Sequence, residues 1–278
     1  MPDLIHINGI DTAYALEGPS AAPVVVLANG LGADLSMWAN QLAVLATSFR
    51  VLRYDMRGHG GTGATPGDYS LDLLAGDLLA LLDGLSIARA HLVGASLGGM
   101  VGQFLAVHHA DRLESLALVA TSSEAPRKAW QERVREVRRD GVEPQVEPTI
   151  DRWFTPAFRA AHPDLMASMR RMVLRTSRDG YAGCAAAIRD MVLSPVIGRI
   201  RVPTLVVAGA ADLSTPLPML EHIAGTIPDA RLVAIEEAAH MPPLERPEEC
   251  NAAIESFLRG LDAGPAAGLR QMASRLRG

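Results

Sequence analysis

The sequence predicts an α/β chain whose core is a mostly parallel, doubly wound sheet, with a helical cap inserted between two core strands. Three observations point there. Short continuous apolar runs, the kind buried on both faces of a parallel sheet, recur along the chain. Helical periodicity separates them, and between residues 120 and 202 the strand pattern stops and amphipathic helices take over. A chain of 278 residues can bury about 73% of its unfolded surface, which suits one large domain carrying an insertion. Residues 1–122 and 196–262 are expected to form the core, 123–195 the cap, and 263–278 a linker and tail.

The elements follow in order. Residues 4–7 and 13–17 have strand character on either side of Asn8-Gly9, the signal of a hairpin turn. Val24-Val25-Val26-Leu27 is the first buried strand and residues 51–54 the second; a helix over 71–85 leads to strands over 90–94 and 113–119. In the cap, Trp130, Val134 and Val137 share one helical face, Leu165, Met169, Met172 and Val173 a second, and Tyr181, Cys184, Ala185, Ile188 and Met191 a third. Three or four helices are therefore expected; they either screen a site from water or add bulk over one sheet edge. Strands resume over 204–208 and 232–235, and 248–261 is the last helix. Residues 263–268 read as a linker and 269–277 as a loose tail helix or a disordered segment.

Composition excludes several function classes. The net charge of −5 argues against a nucleic-acid partner, which would need clustered Lys and Arg. Among 26 basic residues only Lys128 is a lysine, a bias that makes arginine clusters poor functional markers in this chain. No apolar run approaches the roughly 18 residues of a membrane helix, and Met1-Pro2-Asp3-Leu4-Ile5-His6 has no leader character, so no membrane partner and a cytoplasmic location are expected. Cys184 and Cys250 have no neighbour at zinc-ligand spacing and read as small apolar residues in or near the core. No cofactor and no metal are called for, and the expected partner is a small-molecule substrate; the oligomeric state is not legible.

The chemistry concentrates at three strand ends. Gly94-Ala95-Ser96-Leu97-Gly98 matches G-x-S-x-G, preceded by the apolar run His91-Leu92-Val93 and followed by Leu97, Met100, Val101, Phe104 and Leu105 at helical spacing. That is the strand, turn and helix of a nucleophile elbow. A serine hydroxyl needs a base, and the base an orienting acid. Residues 204–208 form a buried strand that breaks at Gly209 and delivers Asp212, although an ordinary turn aspartate before Pro216 would stand in the same place. His240 follows the last strand, completing the order Ser96, Asp212, His240. Should Asp212 not be the acid, Glu124 beyond the 113–119 strand is the next candidate. His59, past the second buried strand, is the other histidine with a possible substrate-facing role, although nothing near it supplies a nucleophile. For a developing oxyanion, the backbone N–H of Leu97 is one donor and that of Leu31, in Asn29-Gly30-Leu31-Gly32, the second; Asn29-Gly30 reads equally as a plain turn.

These residues resemble the α/β-hydrolase family over almost the whole chain to about Leu261. A narrower resemblance is to 3-oxoadipate enol-lactonases. It rests on residues 29–38 and 53–60, on Ser96-Leu97-Gly98-Gly99-Met100-Val101-Gly102-Gln103, and on the cap string Arg152-Trp153-Phe154-Thr155-Pro156-Ala157-Phe158. The resemblance implies opening of an enol-lactone through a Ser-His-Asp acyl-enzyme, with Trp153 as an apolar wall. Such a substrate carries a free carboxylate that needs a cation or several donors under the cap, for which Arg152 and Arg189 are the candidates. General carboxylesterases and cofactor-free haloperoxidases or perhydrolases use the same triad and stay open as alternatives. A non-catalytic binding protein is disfavoured by the complete triad.

Overall fold

Val25, Val26 and Leu27 are shielded from solvent on both faces of their strand, as a run without polar alternation requires. The computed structural model describes residues 2–262. Its strands are β1 (Asp3–Ile7), β2 (Ile10–Glu17), β3 (Val24–Ala28), β4 (Arg50–Tyr54), β5 (Ala90–Ala95), β6 (Leu113–Val119), β7 (Thr204–Gly209) and β8 (Arg231–Ile235). They form one eight-stranded sheet in the order β1-β2-β4-β3-β5-β6-β7-β8. The β1–β2 and β2–β4 pairs are antiparallel and the remainder parallel. The β1–β2 turn has positive φ at both Asn8 (45°) and Gly9 (77°), which matches the twist of a tight hairpin.

Helices α1 (Ala39–Leu45), α2 (Leu71–Gly84), α3 (Leu97–His108), α4 (Arg127–Asp140), α5 (Val146–Trp153), α6 (Pro156–Ala161), α7 (Pro163–Arg175), α8 (Arg178–Asp190), α9 (Leu217–Thr226), α10 (Pro242–Glu245) and α11 (Pro247–Asp262) complete the chain. In the layers over the sheet, α2 packs on α3 and α1 on α11. The chain leaves β3 for β4 on one side and crosses back to β5 on the other. The carboxyl ends of β3 and β5, in register at Ala28 and Gly94, therefore lie side by side where the winding reverses, the place such sheets reserve for ligands.

Between β6 and β7 the chain forms five helices, α4 to α8, rather than three or four. Those missing from the sequence reading are α5 and α6, of eight and six residues. Little more than two turns give too short a window for a helical period to register, and the same holds for the seven-residue α1. Trp130 also departs from expectation, being only half-buried on the α4 face whose Val134 and Val137 are fully covered. The expected linker and tail, residues 263–278, lie outside the described residues. Both cysteines are buried and unpaired.

Helix α8 is joined to the core by backbone. A Cβ placed on Gly180 would lie 2.4 Å from the Cα of Gly58 and 2.6 Å from its carbonyl oxygen. Around this contact, Ser177 N–H donates to Gly58 C=O (3.0 Å) and Tyr69 N–H to Gly183 C=O (3.2 Å). Overpacking costs about 1–3 kcal/mol where side chains can yield; here the opposing atoms are main chain, so the upper figure applies. Alanine regains about 1 kcal/mol of helix propensity. Gly180→Ala is therefore predicted to destabilise the fold by about 2 kcal/mol in equilibrium denaturation; a neutral or stabilising change would show that α8 is free to move off Gly58.

Candidate active site

The turn after β5 places Ser96 at φ 50°, ψ −113°, a conformation that costs a residue with a Cβ about 1–3 kcal/mol. Three hydrogen bonds, each contributing about 1 kcal/mol, hold it there. Ser96 N–H donates to Val119 C=O (2.9 Å), while Ser96 C=O accepts from Thr121 Oγ1 (2.7 Å) and Met100 N–H (3.1 Å). The turn also closes too tightly for side chains on either side. A Cβ on Gly94 would stand 2.3 Å from Gly98 C=O, and one on Gly98 2.2 Å from Ala28 C=O. With its backbone locked, the half-buried Ser96 projects its hydroxyl toward the cavity under the cap.

Asp212 lies just past β7 and His240 past β8, and the structure joins both to Ser96 in one chain of hydrogen bonds. Ser96 Oγ is 3.0 Å from His240 Nε2, and His240 Nδ1 is 2.7 Å from Asp212 Oδ2. Because Asp212 Oδ2 can only accept when ionised, Nδ1 carries the proton and Nε2 offers a lone pair to Ser96. Asp212 Oδ1 accepts from Ser214 N–H (2.7 Å) and Thr215 N–H (3.1 Å), and Oδ2 also accepts from Thr215 Oγ1 (2.6 Å). Burial alone would raise the Asp212 pKa, but His240 and these donors outweigh it and hold the carboxyl below the usual carboxylate range. The loop bearing His240 is anchored by buried Glu245, which accepts from Ala239 N–H (2.8 Å) and from Thr155 N–H (2.9 Å) at the start of α6. Met241 N–H donates to Trp153 C=O (3.0 Å), tying the same loop to the end of α5.

Beside Ser96 runs the loop after β3. A Cβ on Gly30 would approach the Ser96 Cβ to 3.2 Å, so this backbone passes close over the hydroxyl. The N–H groups of Leu31 and Leu97 have no protein acceptor among the described residues. His59 faces this loop rather than the cavity. Its Nε2 accepts from Gly32 N–H (3.0 Å) and its Nδ1 donates to Arg57 C=O (3.1 Å). A backbone N–H can only donate and a carbonyl only accept, so these partners fix one neutral tautomer, and burial pushes the imidazole down to about 4.

The cap closes the cavity over Ser96 and His240 with Trp130, Arg133, Arg152, Trp153 and Tyr181 among its lining. Arg152 is half-buried and donates to Thr149 Oγ1 (3.2 Å); burial, and after it the charge of Arg133, push its pKa down. Arg189 is not in the cavity. It is held by Asp68 (2.8 Å), by Gln131 (3.0 Å) and by Asp190, so that its charge is neutralised and the guanidinium ties α8 to Asp68 rather than facing the cavity. Glu124 lines the cavity edge but is exposed and hydrogen-bonds Ser194 rather than His240. Thr215, Arg133 and Glu245 escaped the sequence reading. Thr215 had a local signal, since an aspartate two and three residues before a pair of free N–H groups invites such a turn; Arg133, one turn from Trp130, is hidden by the abundance of arginine. No three His, Cys, Asp or Glu side chains among the described residues are grouped to hold a metal, and no described helix is long and apolar enough to cross a membrane.

Comparison with known proteins places this geometry in context. A family model described as the alpha/beta hydrolase fold matches residues 23–247. The 3-oxoadipate enol-lactonase 2 of Acinetobacter baylyi is 33% identical over 92% of this chain and 96% of that protein. RutD of Pseudomonas syringae, named for carbamate hydrolysis, is also 33% identical, over 85% of this chain and 94% of its own. The crystal structure of the enol-lactonase from Burkholderia xenovorans superposes with a TM-score of 0.90 at 38% identity, covering 92% of this chain and all (100%) of that one.

Protonation of His59 would turn Nε2 into a donor facing the Gly32 N–H. The imidazole is therefore predicted to stay neutral down to about pH 4 in an NMR titration of the folded protein. A midpoint at the ordinary histidine value, about 6.5, would contradict the buried, doubly bonded tautomer.

Proposed function

The chain belongs to the α/β-hydrolase family, and on that premise we propose that it is a serine-dependent hydrolase that opens an enol-lactone, 3-oxoadipate enol-lactone, to 3-oxoadipate. The observation that carries the reading is the continuous hydrogen-bonded chain from Ser96 through His240 to Asp212, set beside two unpaired backbone N–H groups. In this mechanism Ser96 Oγ attacks the lactone carbonyl as its proton passes to His240 Nε2. The N–H groups of Leu31 and Leu97 receive the oxyanion. Asp212, held ionised by its donors, stabilises the imidazolium without taking its proton.

Collapse of the tetrahedral intermediate breaks the ring C–O bond, and the imidazolium returns its proton to the enol oxygen. The leaving group stays tethered to the acyl-enzyme, where an alkoxide could attack again and close the ring. An enol tautomerises to the ketone and loses that nucleophile, which makes the opening effectively irreversible. Water deprotonated by His240 then releases the acid. Trp153 supplies an apolar wall, and Arg152, in the lining of the same cavity, is the cation assigned to the free carboxylate of this substrate.

The 33% identity to RutD makes a carbamate the competing substrate, and the same triad suits simple esters. If the lactone reading is right, kcat/KM for the enol-lactone exceeds that for p-nitrophenyl acetate by at least about 10²-fold, since remote binding energy is available only to the former. Comparable values, or faster turnover of a carbamate or of peroxide-dependent halogenation, would replace it. Ser96→Ala is predicted to lower kcat by 10⁴-fold or more, on the order seen for triad knockouts, and to abolish fluorophosphonate labelling. Its melting temperature should change little, because alanine keeps the three main-chain hydrogen bonds of Ser96 and loses only the hydroxyl's bond to His240. Labelling retained at another serine would overturn the assignment.

A further inference from the structure

The loop after β3, which carries the Leu31 N–H, is held by side chains from the loop after β4. Asp55 Oδ1 accepts from Leu35 N–H (2.6 Å) and His59 Nε2 from Gly32 N–H (3.0 Å). His59 is itself fixed in place. Its N–H donates to Met56 C=O (2.9 Å), its C=O accepts from Thr62 N–H (2.8 Å), and its Nδ1 donates to Arg57 C=O (3.1 Å). The buried imidazole stays neutral down to about pH 4, so the Nε2 lone pair is available wherever the triad works. In the loop it holds, Ala33 N–H donates to Gly30 C=O (3.2 Å), closing a turn with Leu31 and Gly32 at its centre. Gly32 has φ 84° and Leu31 is not at positive φ, the signature of a type II turn. The Gly30–Leu31 peptide is planar and trans, so holding Gly30 C=O on Ala33 turns the Leu31 N–H the opposite way.

A glycine at the third position of a turn takes negative φ as readily as positive φ, so by itself the Leu31–Gly32 peptide is free to flip into a type I turn. The flip carries Gly32 N–H to the other side of the turn, where it loses its buried acceptor. Asp55 secures the far end of the loop in either form, and the choice between the two is left to His59. We propose that His59 is a positioning residue for the reaction: by accepting from Gly32 N–H, it holds the 30–33 turn in the form that aims Leu31 N–H at the developing oxyanion. A donor is effective only where the oxyanion will stand, and a turn that exchanges between two forms offers Leu31 N–H there only part of the time. His59 is outside the cavity lining and acts through Gly32. The proposal rests on Ser96 as nucleophile and on the Leu31 and Leu97 donors, but not on the identity of the lactone.

The test follows hydrolysis of p-nitrophenyl acetate in variants that separate the two bonds of the imidazole. In His59→Asn the amide reaches Arg57 C=O, as Nδ1 does, but falls short of Gly32; in His59→Gln the longer amide presents an acceptor where Nε2 stands. His59→Asn is expected to lower kcat and kcat/KM together by about tenfold with KM unchanged, less than the loss of about 10²–10³-fold for a whole oxyanion donor. The rate of fluorophosphonate labelling falls in step, and His59→Gln recovers most of both. Gly32→Ala strains the positive φ without crowding, since its Cβ would stand 3.7 Å from Tyr181 and Val173. It lowers kcat likewise, and His59→Asn added to it lowers kcat little further, because both act on one turn. Should His59→Asn not fold, Gly32→Ala carries the same prediction alone. Wild-type kcat in folded His59→Asn or in Gly32→Ala, equal losses in the Asn and Gln variants, or losses that multiply in the double variant would overturn the positioning role. A Ser96→Ala protein that keeps its activity would instead reject the nucleophile on which that role rests.

Discussion

Everything in this site depends on one strained backbone position. Ser96 sits at positive φ between the end of β5 and the start of α3, and only a sharp reversal there lifts the hydroxyl clear of the sheet. The strain is tolerated because the Ser96 main chain is hydrogen-bonded to the neighbouring strand end on both its N–H and C=O sides, and because Gly94 and Gly98 leave room for main chain to touch main chain. The same compression brings the β3 loop over the hydroxyl, since Gly98 packs on Ala28 and Gly30 on Ser96. Strain, close approach and the exposed N–H groups are thus consequences of a single packing arrangement.

Around that point the other functional groups are held by shells of backbone donors. Asp212 is saturated by Ser214 and Thr215, so its charge is kept for His240. His59 pins Gly32, and Asp55 accepts from Leu35 N–H (2.6 Å) further along the same loop. Glu245 fastens the His240 loop to the start of α6. The cap is therefore not a detached lid: α8 meets the core backbone to backbone at Gly58 and Gly180, and α5 is hydrogen-bonded to the loop that bears the histidine. The side chains free to respond to a ligand are those that line the cavity between these anchors, Arg133 and Arg152 among them.

The parallel core was legible because buried strands announce themselves as unbroken apolar runs, and residues 24–27, 51–54 and 113–119 fall inside β3, β4 and β6. The elbow was legible because small residues flank a serine between a strand and a helical period. Asp212 and His240 could be named from their places after strand ends, but not from spacing, since 28 positions separate them and the fold alone brings them within 2.7 Å. What stayed hidden depends on side-chain direction. Nothing in the order of residues distinguishes Arg189, turned onto Asp68, from Arg133, turned into the cavity. His59 was open to a substrate-facing role because it follows a strand, whereas its two backbone partners can be seen only in three dimensions.

In the proposed reaction, charge developing at a carbonyl next to Ser96 meets the Leu31 and Leu97 N–H groups. A crystal structure of the adduct formed with a small alkyl fluorophosphonate, a tetrahedral mimic of the attacked ester, tests this directly. Phosphorus should be bonded to Ser96 Oγ, with one phosphoryl oxygen about 2.7–3.1 Å from both nitrogens and another group facing His240 Nε2. An adduct on a different residue, or a phosphoryl oxygen turned to solvent with those two N–H groups still unpaired, would contradict it.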